Sequence, residues 1–333
     1  MPKPYLTAWA AVLTVSLLGC ASGTGDSQNA AQKPVVASSV SPITNLVQNV
    51  GGEDIRLIGL VPEGSDSHTF EPAPSVARAL SEADLVFVNG VGLEEPILRL
   101  AGANLKRGAR VVSLGDTILK TEEPIYDFSF PRSGGRPNPH LWTNPPYARL
   151  YVEEILQSLA SESIYKERRG WANNEERLQD RIEELDAAAR AATDSIPPRD
   201  RKLLTYHDSF PYFARQYGWQ IVGAIQPSDF SEPKAGEVAE LIEQIKRENV
   251  RAIFGSEVFP SPVLEQIARE TGARYVDELR DDDLPGEPGD DEHSYVGLIR
   301  FDLITIVEAL GGDATQLWAV DPRNIVESDA SYG

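Results

Sequence analysis

The chain has 333 residues, of which 51 are acidic and 31 are basic, so its formal net charge is −20 at pH 7. This acidity argues against nucleic acid as a partner, because proteins that bind nucleic acids carry basic patches. Hydrophobic residues make up 41% of the chain, which is enough for a folded core in about two domains. With a single cysteine, neither an internal disulfide nor a thiolate zinc cluster is possible.

The N-terminus has the pattern of a cleaved targeting signal. Lys3 precedes an uncharged apolar run, Tyr5 to Leu18, that is shorter than the roughly 20 residues of a membrane-spanning helix. The run ends in LLGC, which resembles the lipobox of bacterial lipoproteins and implies lipid attachment at Cys20. The alternative is an ordinary signal peptide with a coincidental cysteine. We therefore expect an extracytoplasmic protein that is lipid-anchored to the bacterial cell membrane.

After the signal, runs rich in β-branched residues alternate with helical patterns on both sides of the chain's middle. This alternation is typical of an α/β fold with parallel sheets. The predicted strands are Val35–Val40, Ile55–Val61, Asp84–Val88 and Arg110–Leu114 in the first half, and Lys202–Tyr206, Trp219–Ile225, Arg251–Phe254 and Ala273–Val276 in the second. A loop over 115–139 interrupts the first series, and such long loops are usually functional or disordered.

The middle of the chain predicts one long helix. Between Leu178 and Ile196, apolar residues recur at steps of three and four, which places them on one face of a helix over 165–195. A coiled coil is the weaker alternative, because the stripe lasts too few heptads. We predict two α/β lobes, each with a parallel sheet flanked by helices, joined by this helix. The predicted parts are a signal peptide (1–19), a flexible tether (20–33), an N-terminal lobe (34–164), the linking helix (165–195), a C-terminal lobe (196–318) and a tail (319–333).

The chain has four histidines, and their positions are informative. His68 and His207 each follow a predicted strand, and His140 closes the long loop. Asp277 lies just after the last predicted strand. Because open α/β sheets bind ligands at the carboxyl ends of their strands, these residues are candidates for one shared site. The alternative for each histidine alone is a core or surface residue with no ligand.

At these residues the chain resembles the solute-binding lipoproteins of zinc and manganese ABC importers, which include adhesin-like metal receptors. The matching motifs are GSDSHTFEP (64–72), NPHLW (138–142), YHDSF (206–210), FGSE (254–257) and DEL (277–279). Ser67 departs from the proline common at that position, and the loop 115–139 lacks the histidines of many zinc receptors. The resemblance implies a receptor without enzymatic activity that delivers its metal to a membrane permease.

The resemblance also implies a metal site formed by His68, His140, His207 and a carboxylate, which we assign to Asp277. Three neutral imidazoles and one carboxylate suit tetrahedral Zn²⁺. Manganese prefers more oxygen ligands, and manganese-selective relatives often have glutamate in place of the third histidine. We therefore expect Zn²⁺, with Mn²⁺ or iron as the alternative.

Glu71 and Glu257 are candidates to orient the ligands through hydrogen bonds, and a solvated position is the alternative for each. The acidic run 281–292 and the adjacent His293 are expected at the surface. Two other functional classes fit less well. A zinc hydrolase needs an open metal position and a base, and no H-E-x-x-H motif is present. A receptor for haem or a siderophore needs a wide cleft. We expect a monomer.

Overall fold

The computed structural model describes Met1 and residues 33–161, 170–226, 233–256, 261–327 and 330–332. Apart from Met1 and Lys33, the predicted signal peptide and tether, with Cys20, lie outside the described residues. Glu257 and residues 165–169 of the predicted long helix also lie outside them. In the described ranges, no helix combines the length and the apolar character needed to cross a membrane.

The first lobe contains a parallel five-stranded sheet in the order β4-β3-β1-β2-β9. Its strands are β1 (Val35–Ser38), β2 (Arg56–Gly59), β3 (Leu85–Val88), β4 (Arg110–Ser113) and β9 (Ser331–Tyr332). Its helices are α1 (Ser41–Gly51), α2 (Pro74–Glu82), α3 (Glu95–Asn104), α4 (Leu114–Ile118) and α5 (Pro145–Ser161). Every residue of β1 and β3 is buried, as expected for central strands of a parallel sheet covered on both faces.

The second lobe contains a parallel four-stranded sheet in the order β6-β5-β7-β8. Its strands are β5 (Lys202–Thr205), β6 (Gln220–Ala224), β7 (Ala252–Ser256) and β8 (Arg274–Leu279). The helices that follow them in the chain are α7 (Pro211–Tyr217), α8 (Ala235–Glu248), α9 (Pro262–Thr271), α10 (Tyr295–Ala309) and α11 (Thr315–Ala319). The four strands that open each lobe are thus arranged alike, with the first between the second and the third, and the predicted fold class is confirmed.

Helix α6 (Gly170–Asp194) contacts both lobes. Near its start, the indole N–H of Trp171 donates to the carbonyl oxygen of Gly51 in the first lobe at 3.0 Å. Farther along, Asp186 accepts a hydrogen bond from the hydroxyl of Tyr217 in the second lobe at 2.6 Å. The predicted apolar stripe is buried. Because the helix packs on several helices of two lobes, the coiled-coil alternative is wrong.

Helix α4 takes up the start of the predicted loop, and the rest of it, over 119–139, is attached to the second lobe. The amide of Ser129 donates to Asp208 Oδ2 at 3.1 Å, and its hydroxyl donates to the carbonyl oxygen of Gln226 at 2.9 Å. Farther along the loop, the hydroxyl of Tyr212 donates to the carbonyl oxygen of Asn138 at 2.9 Å. The end of the loop, which carries His140, is therefore held in place by residues of the other lobe.

Candidate metal centre

Three of the four histidines lie together, and their ring nitrogens form a triangle. The Nε2 atom of His68 lies 3.1 Å from Nε2 of His140 and 3.1 Å from Nε2 of His207. The third side of the triangle, between His207 and His140, is 3.0 Å. Among the described residues, these three are the histidine, cysteine or acidic side chains that form a group of three or more with all ligand atoms within 4.8 Å of one another. The fold thus joins residues that lie far apart in the sequence.

Each histidine comes from a different connection between elements. His68 lies in the loop between β2 and α2, where its amide donates to Asp66 Oδ1 at 2.9 Å. His140 ends the long loop and precedes a short 3-10 helix, Leu141–Thr143. His207 lies directly beyond the carboxyl end of β5. Both lobes therefore contribute to the triangle, and the second does so at a strand end, where open α/β sheets bind their ligands.

Hydrogen bonds on the far side of two rings determine which nitrogen faces the triangle. His140 Nδ1 lies 2.8 Å from Asn138 Oδ1, and His207 Nδ1 lies 2.6 Å from Gln226 Oε1. Because an amide oxygen only accepts, each Nδ1 carries the proton and each Nε2 presents a lone pair. In their neutral form, both imidazoles are thus oriented as metal ligands.

The carboxylate beside the histidines belongs to Asp281 and not to Asp277. Asp281 Oδ2 lies 3.6 Å from His207 Nε2, and its Oδ1 accepts a hydrogen bond from Ser256 Oγ at 3.3 Å. Asp277 lies inside β8, and its side chain is exposed. The predicted end of this strand at Val276 is wrong, because pairing with β7 extends β8 to Leu279. The strand-end carboxylate therefore comes later in the chain than the sequence indicated.

The start of the acidic run is buried, which contradicts the expected solvated loop. Asp281, Asp282 and Asp283 are 3%, 5% and 9% exposed. His293, which was expected at the surface, is also buried, and its Nε2 lies 3.2 Å from Glu63 Oε1. The second half of the run, from Glu287 to Glu292, is exposed as predicted.

Of the two glutamates predicted to orient the ligands, Glu71 has an exposed side chain and Glu257 lies outside the described residues. The hydrogen bonds seen here come from Asn138 and Gln226, which sequence reasoning missed. A signal existed for Asn138, since it belongs to the NPHLW motif with His140. Gln226 follows β6, but its sequence neighbourhood gave no sign of the contact with His207.

Burial and charge set the protonation of the site. Burial lowers the pKa of His68 and His140 well below the usual value of an imidazole, and the neighbouring His207 adds to this effect. Burial also acts to lower the pKa of His207, but the carboxylate of Asp281 and the hydrogen bond to Gln226 outweigh it and raise that pKa. Without a metal, His207 is therefore the imidazole of the triangle that binds a proton most readily.

The triangle has the dimensions of a tetrahedral metal site. A tetrahedral Zn²⁺ with Zn–N distances of about 2.0–2.1 Å holds its ligand atoms about 3.3 Å apart, close to the observed 3.0–3.1 Å. Lone pairs that face one another at this distance repel, and a cation between them removes the repulsion. The three histidines can therefore bind a divalent cation without a large rearrangement.

Two aromatic rings lie against the triangle. The ring centroid of Phe130 lies 5.6 Å from that of His68 and 5.7 Å from that of His140. The ring centroid of Trp142 lies 5.0 Å from that of His140, and its indole N–H donates to the carbonyl oxygen of Asp281 at 3.0 Å. A cavity of about 280 Å³ opens beside His68 and Phe130. The rings cover part of the triangle, while His68 remains partly exposed at the cavity.

Known proteins with this architecture bind metals. The model of the family described as "Zinc-uptake complex component A periplasmic" (ZnuA) matches residues 35–309. The zinc-binding protein TroA of Treponema pallidum is 30% identical over 291 residues, which cover 84% of this chain and 89% of TroA. A solved TroA structure superposes with a TM-score of 0.73 at 28% identity, covering 84% of this chain and 99% of that chain.

Relatives named for other metals are similar over comparable lengths. The manganese ABC transporter substrate-binding lipoprotein PsaA of Streptococcus anginosus is 26% identical over 307 residues, covering 89% of this chain and 95% of PsaA. The iron-binding protein YfeA of Yersinia pestis is 27% identical over 314 residues, covering 93% of this chain and 98% of YfeA.

Proposed function

The chain belongs to the ZnuA family of periplasmic zinc-uptake components, and from this premise we propose that it captures Zn²⁺ and delivers it to the permease of an ABC importer. The family consists of solute-binding receptors without enzymatic activity, so the protein is an extracytoplasmic metal receptor and not a zinc hydrolase. The observation that carries the choice of zinc is the triangle of Nε2 atoms with sides of 3.0–3.1 Å.

The proposed ligands are His68, His140 and His207 with Asp281 in place of Asp277. Asp281 Oδ2 is 3.6 Å from His207 Nε2 but lies outside the group of ligand atoms that are all within 4.8 Å of one another, so the carboxylate has to move towards the other histidines to complete a four-coordinate site. Three neutral imidazoles and one carboxylate give the Zn²⁺ complex a net charge of about +1, which a buried site tolerates better than +2.

The donor set favours zinc over manganese or iron. Imidazole nitrogen suits Zn²⁺, whereas Mn²⁺ prefers carboxylate, carbonyl and water oxygens. The affinity of one set of donors also rises from Mn²⁺ through Fe²⁺ towards the end of the series. The relatives are named for zinc, manganese and iron, so the preference rests on the ligands and not on similarity.

Titration of the chelator-treated protein with Zn²⁺, Mn²⁺ and Fe²⁺ tests this function. We expect one Zn²⁺ per chain, tighter binding of Zn²⁺ than of the other ions, and a thermal shift that grows with zinc concentration, because a ligand of the folded state stabilises it by mass action. His140→Ala should weaken zinc binding on the order of 1000-fold, since it removes one of three nitrogen ligands. His293→Ala, which changes the histidine outside the triangle, should weaken zinc binding far less, because it removes no ligand. Zinc binding that survives His140→Ala unchanged would contradict this site, and tighter binding of Mn²⁺ would identify the manganese alternative.

We also propose that lipid attachment at Cys20 holds the receptor at the membrane. The support is the LLGC sequence at the end of the apolar run. Metabolic labelling with a fatty-acid analogue tests the anchor, because the label should appear on the wild-type protein and be absent from Cys20→Ala. Absence of the label from the wild-type protein would contradict lipid attachment at Cys20. The monomeric state expected from the sequence stays a prediction.

A further inference from the structure

Two aspartates that follow Asp281 hold a loop of the first lobe. Both carboxylate oxygens of Asp283 accept a hydrogen bond from the amide of Gly64, at 2.8 and 2.7 Å. Asp282 Oδ2 accepts a hydrogen bond from the amide of Ser67 at 3.1 Å. The carboxylates belong to the second lobe and the amides to the first, so these bonds join the two lobes.

The surroundings favour strong bonds of this kind. Asp282 is 5% exposed and Ser67 is 4% exposed, so water competes little for either group. When one partner of a buried hydrogen bond is removed, the other is left unsatisfied, which costs more than the loss of an exposed bond. Gly64 has a φ of +75°, which favours glycine and turns the chain so that its amide faces Asp283. The ion pair between His293 and Glu63 adds a third tie between the same two segments.

The amide of Ser67 immediately precedes His68, whose own amide donates to Asp66 Oδ1 at 2.9 Å. We propose that Asp282 and Asp283 are positioning residues, which fasten the loop carrying His68 to the turn that carries Asp281. This inference rests on the proposed metal site. One turn of the second lobe then supplies a ligand and also places the ligand of the other lobe. A metal site gains affinity when neighbouring bonds hold its ligands in position.

The first test is a thermodynamic cycle with His68→Ala. The double variant Asp282→Ala/Asp283→Ala should weaken zinc binding about 10- to 100-fold, the usual effect of residues that orient ligands. In the His68→Ala background, the same two changes should alter zinc affinity by less than about threefold, because the ligand that they place is already absent. An equal loss in both backgrounds would overturn the proposal, since the aspartates would then act by another route.

Conservative and charge controls separate positioning from simple attraction of the cation. Asp282→Asn/Asp283→Asn keeps an acceptor for each amide and should recover most of the affinity, whereas an effect of charge alone would not recover. Asp291→Ala removes one exposed charge from the same acidic run and should bind zinc as the wild type does. The Co²⁺ absorption spectrum of the double alanine variant should resemble that of His68→Ala. A spectrum like that of Asp281→Ala would contradict the proposal.

A second measurement does not depend on metal. In the metal-free protein, the double alanine variant should show faster amide hydrogen exchange over 61–73 than the wild type, and unchanged exchange in β5. Unchanged exchange over 61–73 would overturn the proposal even if zinc binding were lost. Should the double alanine variant not fold, the single variants carry both tests. Failure of the wild type to bind zinc would instead remove the proposed function, so the two failures are distinguishable.

Discussion

The two lobes share a strand order but contribute to the proposed metal centre in different ways. In the second lobe, His207 and Asp281 lie directly beyond the ends of β5 and β8, so the sheet itself places them. In the first lobe, His68 and His140 lie in loops well beyond the nearest strands. Similar topology has thus produced ligands on a rigid framework in one lobe and ligands on loops in the other.

The loops of the first lobe depend on the second lobe for their position. Asn138, which orients His140, donates from its side-chain amide to the carbonyl oxygen of Asp208 at 2.6 Å and accepts at its own carbonyl from Tyr212 at 2.9 Å. By contrast, His207 is oriented by Gln226 of its own lobe. The second lobe therefore orients His207 by itself, whereas the first lobe's ligands take their positions only when the lobes pack together.

The largest difference in zinc affinity should be found between variants of two aspartates, Asp281 just beyond β8 and Asp277 inside it. Asp281→Ala should weaken zinc binding on the order of 100-fold, because water can fill the vacated position only in part. Asp277→Ala, its matched control in β8, should change affinity by less than about threefold, because its side chain is exposed. Isothermal titration measures both. A larger loss for Asp277→Ala would return the fourth ligand to the position that the sequence indicated.

A pH titration should show that the lobes differ in protonation. The pKa values of His68 and His140 are lowered by burial, so these ligands of the first lobe stay neutral in mild acid. The pKa of His207 is raised by Asp281, so zinc must displace a proton there once the pH falls below that value. Affinity should then fall about tenfold for each pH unit, the slope for one proton. Calorimetry in buffers of different ionisation enthalpy counts the protons, and a release of three would mean that all three histidines titrate alike.

The smallest effects on zinc affinity should come from the two side chains that orient histidines. Asn138 is bonded across the lobes, and Gln226 orients a histidine of its own lobe. Asn138→Ala and Gln226→Ala should each weaken zinc binding about tenfold, because each frees the ring of one ligand. Asn138→Ala should lower the melting temperature of the metal-free protein more than Gln226→Ala does, since the Asn138 side chain hydrogen bonds to residues of both lobes. Differential scanning calorimetry of the two variants makes the comparison. Equal melting temperatures would show that the loop needs no support from the second lobe.

Sequence reasoning reached the three histidines because histidine is scarce and each lies in a recognisable motif. It assigned Asp277 because that residue follows the predicted end of the last strand at Val276, and this end was set too early. Pairing with β7 carries the strand through these residues, and that pairing is a tertiary effect that no local pattern records. The lobes and the long helix were predictable, since the periodicity of their apolar residues follows from burial.

The buried aspartates show a second limit of sequence reasoning. A run such as Asp281–Asp283 is normally solvated, because burying a carboxylate without partners is costly. Here the partners are backbone amides of Gly64 and Ser67, which the sequence does not mark as donors. Strand β9 was also missed, because two residues carry no detectable strand pattern.

The short strand β9 affects the tendency of the protein to aggregate at high concentration. An uncovered edge strand presents unpaired amides and carbonyls on which a neighbouring molecule can add a strand, and this is a common start of aggregation. Here Ser331 and Tyr332 pair with Ile58 and Gly59, so the chain covers the β2 edge of its first sheet with its own residues. The Tyr332 ring lies so close to Gly59 that any side chain there would collide with it. A substitution at Gly59 would therefore displace this cover and leave the edge open to association between receptors.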